Sequence, residues 1–176
     1  NISIEPEVID LINFLNNSGA DIKFLGKRSI KITGIKELIN GSHTIIGDRI
    51  EAFSYLCVGA ITNKKIKVNN INPKYLRTEI GILKKIGYKI GINSNSILLS
   101  PAKKLNSVKI KTGPWPAFAT DNMPIILAVL TKVPGKSLIN ETIFSNRFMT
   151  APELNRMGAS IRVKKNKAII SETGIE

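Results

Sequence analysis

Three stretches of this 176-residue chain share one pattern: LNNSGADI at Leu15–Ile22, LKKIGYKI at Leu83–Ile90 and LNRMGASI at Leu154–Ile161. In each, a helical pattern ends at a glycine and an alternating, strand-like segment follows. Glycine suits this place because helices commonly end in a left-handed residue, a conformation that glycine adopts at little steric cost. The three glycines lie 68 and 71 residues apart. The sequence therefore predicts a structural unit that is repeated along the chain.

Segments on both sides of these stretches also recur and complete the unit. Each stretch continues into a second strand pattern. Before the last two stretches, helical patterns begin after Asp48 and Asp121 and lead into strands near Ile66–Val68 and Leu138–Ile139. A further strand at Ser107–Lys111 precedes the last copy. The predicted unit is β-α-β-α-β-β, and this alternation indicates an α/β (α+β) fold of mixed sheets covered by helices.

Composition limits the classes of function. Hydrophobic residues make up 43% of the chain, and no apolar run approaches the ~20 residues that span a bilayer. No basic region precedes an apolar one at the N-terminus, so no signal peptide is expected. A net charge of +13 would suit nucleic acid, but the lysines are scattered and lack interleaved aromatic residues for base stacking. We expect a soluble, cytoplasmic protein with no nucleic-acid or membrane partner; a basic RNA-binding module is the alternative.

The chain has one cysteine, Cys57, and one histidine, His43. A single cysteine excludes an internal disulfide framework and fits a reducing compartment. Because Cys57 lies in an apolar segment, we expect it to be buried as a small hydrophobic residue. With neither a second histidine nor a cysteine cluster, we expect no metal site, and no cofactor is predicted.

One stretch with candidate functional residues is TGPWPAFATD, Thr112–Asp121. Pro114 and Pro116 each fix a backbone φ angle and stiffen it. It ends at Thr120 and Asp121, directly before an apolar run, so one of these two residues is predicted to be the N-cap of a helix. A carboxylate held there on a rigid approach can be aimed at a ligand.

The second such stretch is ETIFSNRFMTAPELNRM, Glu141–Met157. It places Asn146 and Arg147 in a short link between a strand-like segment and a helix. Together the two stretches can bring the Asp121 carboxylate and the Arg147 guanidinium onto one rim.

Both stretches resemble the UDP-N-acetylglucosamine 1-carboxyvinyltransferase (UDP-N-acetylglucosamine enolpyruvyltransferase) family. The family pattern reads approximately P-x-P-[AG]-F-P-T-D and E-T-x-F-E-N-R-F-M-x-x-x-E-L-x-R-M-G-A, where this chain has PWPAFATD and ETIFSNRFMTAPELNRMGA. Further matches are EPEVIDLINFLNNSGADI at Glu5–Ile22 and DRIEAFSYL at Asp48–Leu56. The resemblance therefore extends over nearly the whole chain.

The resemblance implies the enolpyruvyl transferase fold. In that fold three such units pack around a pseudo-threefold axis with helices inside and sheets outside, and two such domains face each other across a cleft. On this alignment Asn1–Ile46 is the end of the first domain and Gly47–Glu176 is two repeat units of the second, with the linker near Gly41–Gly47. Less than half of the family chain would be present.

The resemblance also implies a reaction, the transfer of the enolpyruvyl group of phosphoenolpyruvate to the 3′-hydroxyl of UDP-N-acetylglucosamine. This is the first committed step of peptidoglycan synthesis. Asp121 matches the family aspartate that contacts the sugar hydroxyl and is the proposed base, and Thr120 shares that contact. Ile143 matches a position whose backbone lies against the nucleotide sugar, and Arg147 matches a cleft arginine. Without the resemblance, Asp121 is interpreted as a helix N-cap, Ile143 as an ordinary strand residue and Arg147 as a solvated charge on a loop.

Some residues depart from the family pattern. Ser145 stands where the family has glutamate, which removes one cleft carboxylate, and Ala119 replaces a proline. The family's cysteine-bearing loop, its N-terminal Lys-Asn pair and its C-terminal cleft arginine have no counterpart, and Cys57 does not match the loop cysteine. We therefore expect the chain alone to be inactive and to need the remainder of its own chain to complete both domains. An inactive paralogue that acts as a binding protein is the alternative within the resemblance.

Overall fold

The structure is a computed structural model that describes residues 3–173. The chain divides into two compact units, Asn1–Ile46 and Gly47–Glu176. In the first unit, a helix leads into an antiparallel hairpin. Its elements are α1 (Pro6–Asn17), β1 (Asp21–Phe24) and β2 (Ile30–Thr33).

The second unit contains two copies of one arrangement. Its elements are α2 (Arg49–Ile61), β3 (Ile66–Asn69), α3 (Arg77–Ile86), β4 (Lys89–Asn93), β5 (Ser96–Ser100), β6 (Lys109–Lys111), α4 (Met123–Leu130), β7 (Lys136–Asn140), α5 (Thr150–Arg156), β8 (Ser160–Lys164) and β9 (Lys167–Ser171). The strands form two sheets, in the orders β3-β5-β4 and β6-β7-β9-β8. The spatial order β7-β9-β8 in the second sheet matches the order β3-β5-β4 in the first. The predicted repeat is therefore confirmed. The second sheet adds β6, which is parallel to β7.

The three repeated helix ends close in the same way. An N–H just after each glycine bonds to the carbonyl of the leucine that opens the pattern: Ala20 to Leu15 at 3.0 Å, Tyr88 to Leu83 at 3.1 Å, and Ala159 to Leu154 at 3.0 Å. The glycines have φ angles in the left-handed half of the map: 93° at Gly19, 129° at Gly87 and 96° at Gly158. This is the Schellman closure, in which the glycine turns the chain back over the helix end. The predicted role of the glycines is confirmed.

Two asparagines tie a helix end to the strand that follows it. The side-chain amide of Asn16 accepts the N–H of Ile22 and donates to its carbonyl, both at 2.9 Å. Asn155 makes the same pair of bonds with Ile161, at 2.8 and 2.9 Å. Lys84 holds the corresponding position in the middle copy, and its ammonium group has no acceptor for such a bridge.

The core of the second unit lies between its helices and the inner faces of its sheets. α2 packs against α4, and Phe53 of α2 meets Phe118 edge to face with ring centroids 5.7 Å apart. α4 buries residues on most of its circumference, as expected of a helix inside a domain. Cys57 of α2 is a buried free cysteine, as predicted, and burial raises the pKa of its thiol. Within residues 3–173, no helix has the length and apolar character needed to cross a membrane.

Candidate active site

The first motif folds into a tight loop that precedes α4. The N–H of Gly113 donates to the carbonyl of Phe118 at 3.0 Å and closes the loop. Inside it, the Trp115-Pro116 peptide bond is cis. The hydroxyl of Thr78, which lies in α3, donates to the carbonyl of Pro116 at 2.6 Å. The loop is therefore held by hydrogen bonds to the preceding copy as well as by its prolines.

Neither Thr120 nor Asp121 caps α4, so the prediction of an N-cap there was wrong. Thr120–Asn122 already form a 3₁₀ turn that continues into α4, and no side chain caps either element. The start of the helix is held instead by Glu79 of α3, whose Oε1 accepts the N–H of Ala119 at 3.3 Å and the amide of Asn122 at 3.2 Å. Burial raises the pKa of the Glu79 carboxyl, against the opposing effect of these hydrogen bonds.

Asp48 makes the N-cap contact that was expected of Thr120 or Asp121. Its Oδ1 accepts the N–H groups of Ile50 at 2.7 Å and Glu51 at 3.2 Å, so Asp48 is the N-cap of α2. The side chain of Asp121 is 59% exposed and pairs with the Arg147 guanidinium. The Asp121 carboxylate is therefore exposed to solvent and holds no helix N–H group.

Arg147 reaches Asp121 from the loop between β7 and α5, where the sequence predicted it. The preceding Asn146 has a φ of 62°, a left-handed conformation that asparagine adopts more readily than most residues. The Arg147 guanidinium carbon lies 5.5 Å from the centroid of the Phe144 ring, in the range of a cation–π contact. Its Nε is buried and has no hydrogen-bond partner among the described residues.

Glu141 connects the other two predicted site residues, Thr120 and Ile143. Its side chain is buried, with 1% of the residue exposed. Oε2 accepts the Thr120 hydroxyl at 2.9 Å, and Oε1 accepts the N–H groups of Ile143 at 2.7 Å and Phe144 at 3.2 Å. Burial alone would raise the pKa of Glu141, but the hydrogen bonds outweigh it, so the pKa is lowered. The structure thus places all four predicted residues on two segments that Glu141 joins.

Neither Glu79 nor Glu141 was among the predicted site residues. Glu141 opens the ETIF motif directly after β7, and a carboxylate there can accept N–H groups two and three residues further on, as in an Asx-like turn. That local pattern is a signal from which Glu141 could have been found. Glu79 offers no such signal, because its partners lie 40 and 43 residues further along the chain.

His43 lies in the first unit, away from any acidic or cysteine cluster. Its Nε2 is 2.9 Å from Oδ1 of Asp10, and its ring is tilted against Phe14 at 5.6 Å. In the part of the chain that the structure describes, no three His, Cys, Asp or Glu side chains lie close enough together to hold a metal ion.

The family model of EPSP synthase (3-phosphoshikimate 1-carboxyvinyltransferase) matches residues 1–175. The chain belongs to this family. Among its curated relatives are three named UDP-N-acetylglucosamine 1-carboxyvinyltransferase. The one from Pelagibacter ubique is 45% identical over 170 residues, that from Kosmotoga olearia 42% over 176, and that from Helicobacter pylori strain 26695 44% over 173. These alignments cover 97–100% of this chain and 41% of each relative. This EPSP synthase family member therefore spans about 41% of the length of the relatives it matches.

Solved structures show the fold of this EPSP synthase family member. The enolpyruvyl transferase NikO from Streptomyces tendae matches with a TM-score of 0.84 at 23% identity, over 96% of this chain and 41% of that one. The EPSP synthase from Acinetobacter baumannii matches with a TM-score of 0.68 at 18% identity, over 93% and 40%. The predicted enolpyruvyl transferase fold is confirmed, and so is the resemblance to UDP-N-acetylglucosamine 1-carboxyvinyltransferases.

Proposed function

We propose that the intact protein transfers the enolpyruvyl group of phosphoenolpyruvate to the 3′-hydroxyl of UDP-N-acetylglucosamine. It would act in the cytoplasm as a transferase of peptidoglycan synthesis, and so in cell wall biogenesis, cell shape and cell division. The relatives named for this activity are 40–45% identical to the chain. The observation that carries the proposal is the Asp121 carboxylate, which is exposed, does not cap its helix and is paired with Arg147.

The reaction is an addition followed by an elimination. The sugar hydroxyl loses a proton as its oxygen attacks C2 of phosphoenolpyruvate, and the methylene carbon gains a proton. Loss of phosphate and of a methyl proton then restores the double bond. A positioned group that moves a proton typically accelerates such a step by about 10²–10⁴-fold. We assign Asp121 as the base that takes the hydroxyl proton.

The neighbouring residues would bind and orient the nucleotide sugar. Thr120 lies beside Asp121 and donates its own hydroxyl proton to Glu141, so its oxygen can accept a hydrogen bond from the sugar. The N–H of Ile143 is already bonded to Glu141, which leaves its carbonyl and exposed side chain to face the substrate. Arg147 orients the Asp121 carboxylate, and its positive charge would attract an anionic group of the substrate.

We further propose that Asn1–Ile46 is the end of the first enolpyruvyl transferase domain and that Gly47–Glu176 is two repeat units of the second. The division of the chain into two compact units supports this assignment. So does the strand order that the two copies in Gly47–Glu176 share. Since the chain spans about 41% of its relatives, the complete site would also need residues from the remainder of the protein.

The test is an assay of phosphate release by the full-length protein. Phosphoenolpyruvate is supplied with UDP-N-acetylglucosamine, and 3-phosphoshikimate is the control acceptor. We expect release with UDP-N-acetylglucosamine and none with 3-phosphoshikimate. Release with 3-phosphoshikimate alone would overturn the proposed acceptor. Binding of UDP-N-acetylglucosamine without any release would instead identify an inactive paralogue.

A further inference from the structure

We propose that Glu141 is a positioning residue: it holds the turn Thr120–Asn122 and the loop Thr142–Arg147 in one arrangement and so sets the Asp121–Arg147 pair. This role rests on the proposed function, because it concerns the geometry of the proposed base. Glu141 would not touch the substrate. It would act through the two segments that do.

The main chain and the side chain of Glu141 are fixed in different directions. Its N–H donates to the carbonyl of Asn166 at 2.8 Å, and its carbonyl accepts the Asn166 amide at 2.9 Å. Asn166 lies in the turn between β8 and β9, so the backbone of Glu141 is anchored to the sheet. The carboxylate reaches the other way, to Thr120 and to the N–H groups of Ile143 and Phe144.

A second clamp holds the same loop and shows what Glu141 adds. The hydroxyl of Thr112 accepts the N–H of Thr142 at 2.9 Å, and the Thr142 hydroxyl donates to the Thr112 carbonyl at 2.7 Å. This pair fixes the first residue of the loop to the end of β6. It does not reach the turn that carries Asp121. The bond from Glu141 to Thr120 makes that link, one residue from the proposed base.

The repeat provides an internal comparison. Asn69 pairs with Ser96 in the first sheet as Asn140 pairs with Lys167 in the second. The residue after each strand is therefore equivalent, Asn70 in the first copy and Glu141 in the second. The Asn70 side chain accepts a hydrogen bond from Asn95 in the next hairpin turn, at 3.4 Å. The fold thus forms without a carboxylate here, and the carboxylate is found in the copy that carries the Asp121–Arg147 pair.

Three substitutions in the full-length protein separate position from charge. Glu141→Ala removes the carboxylate's hydrogen bonds to Thr120, Ile143 and Phe144 and its interaction with the Thr112 hydroxyl. Glu141→Gln keeps an oxygen for the N–H groups of Ile143 and Phe144 and an amide that can donate to the Thr120 oxygen, while it removes the charge. Asn70→Ala is the matched control at the equivalent place. The measurements are kcat, KM for UDP-N-acetylglucosamine, the melting temperature and amide hydrogen exchange.

We expect Glu141→Ala to lower kcat roughly 10- to 100-fold, because small displacements of catalytic groups have effects of this size. Glu141→Gln should recover most of that loss, and Asn70→Ala should match the wild type. Normal kcat in Glu141→Ala would overturn the inference, and so would a Glu141→Gln variant as slow as Glu141→Ala. If Glu141→Ala does not fold, Thr120→Val and Thr120→Ser replace it, with hydrogen exchange as the readout. Valine cuts the bond to Glu141 and should speed exchange at Ile143–Arg147, whereas serine should leave it normal. Equal exchange in the two variants would overturn the inference.

Hydrogen exchange keeps this inference separate from the proposed function. If the wild type shows no turnover with the two substrates, the proposed function fails, but the exchange experiment still decides the role of Glu141. Faster exchange in Glu141→Ala, both at Thr120–Asn122 and at Ile143–Arg147, would support the link. Faster exchange confined to Ile143–Arg147 would overturn it.

Discussion

Asp48 and Asp121 precede corresponding helices of the two copies, and only Asp48 accepts hydrogen bonds from the first N–H groups of its helix. Asp121 lies in a 3₁₀ turn, and its carboxylate pairs with Arg147. The duplicated position thus stabilises a helix in one copy and presents a carboxylate to solvent in the other.

This difference predicts that Asp121→Asn in the full-length protein lowers turnover by roughly 10² or more, because the base is lost. Stability should change little, since Asp121 caps nothing and exposed ion pairs contribute about 0–1 kcal/mol. Asp48→Asn is the control, because asparagine caps a helix about as well as aspartate. Steady-state kinetics and thermal melts on both variants check this. Near-normal turnover in Asp121→Asn, or a loss explained by unfolding, would contradict the catalytic assignment.

Two equivalent glycines should differ in their tolerance of alanine. Gly87 and Gly158 both have positive φ angles, so alanine at either costs about 1–2 kcal/mol of backbone strain. A Cβ on Gly87 would also lie 2.3 Å from the carbonyl oxygen of Lys104, whereas a Cβ on Gly158 meets nothing within 4 Å. Urea denaturation should show the larger loss for Gly87→Ala. Equal losses would mean that the Lys104 backbone moves freely away.

The asparagine bridge after α5 should contribute to stability without being required for the fold. Asn155→Lys introduces the residue found at the equivalent Lys84 and removes two hydrogen bonds to Ile161. At about 0.5–1.5 kcal/mol per bond, we expect a loss of about 1–3 kcal/mol in the free energy of unfolding. Lys84→Ala, at an exposed position without the bridge, should change it little. An Asn155→Lys variant as stable as the wild type would show that the bridge contributes nothing measurable.

Glu79 should make stability depend on pH in the acidic range. Because its pKa is raised in the folded protein, the folded state binds a proton more tightly than the unfolded state does. Its contribution to the free energy of unfolding therefore falls as the pH rises from the ordinary glutamate pKa through the raised value. Glu79→Gln keeps an oxygen that can accept from Ala119 and Asn122 but cannot titrate.

The difference in stability between the wild type and Glu79→Gln, measured by urea denaturation across that pH range, isolates this effect. Glu141 has the opposite sign, because its lowered pKa adds stability above the ordinary pKa that is lost as the pH falls. Glu141 is present in both the wild type and Glu79→Gln, so its contribution to the pH dependence cancels in the difference between them. A difference that stays constant with pH would show that Glu79 titrates normally.

The first unit exposes many large apolar side chains. The most exposed are Ile45 at 80%, Ile32 at 65% and Ile39 at 62%. Because exposed apolar surface favours association, we expect the 176-residue chain to form dimers or larger species as its concentration rises. Sedimentation velocity measures this, and Ile32→Lys should weaken the association. A clean monomer at high concentration would contradict the prediction.

Local patterns were enough to predict the repeat. The Leu-x-x-x-Gly-x-x-Ile stretches, the strands after them and the helix after Asp48 all depend on residues close together in sequence, and each is present in the structure. The two stretches were expected to share one rim, and the family resemblance then assigned Asp121 and Arg147 to one cleft. No spacing in the chain alone brings residues 26 apart together.

The start of α4 could not be read from local sequence. An aspartate before an apolar run ordinarily predicts an N-cap, and at Asp48 it does so correctly. At Asp121 the competing contacts come from Glu79 and Arg147, which lie on other segments. Glu79 holds the segment before the helix from another element, and sequence periodicity does not reveal such a contact.

The two sheets of the second unit differ at one edge, where only the second sheet has an additional strand. β6 covers the outer side of β7, whereas β3, the equivalent of β7, is the outermost strand of its sheet in the described part of the chain. The backbone groups on that side of β3 are thus a ready template for strand addition. A β6-like segment from a neighbouring molecule would fit this margin in the parallel direction that β6 uses. Pairing of β3 with a strand from another molecule is therefore the form of association that this open edge would allow.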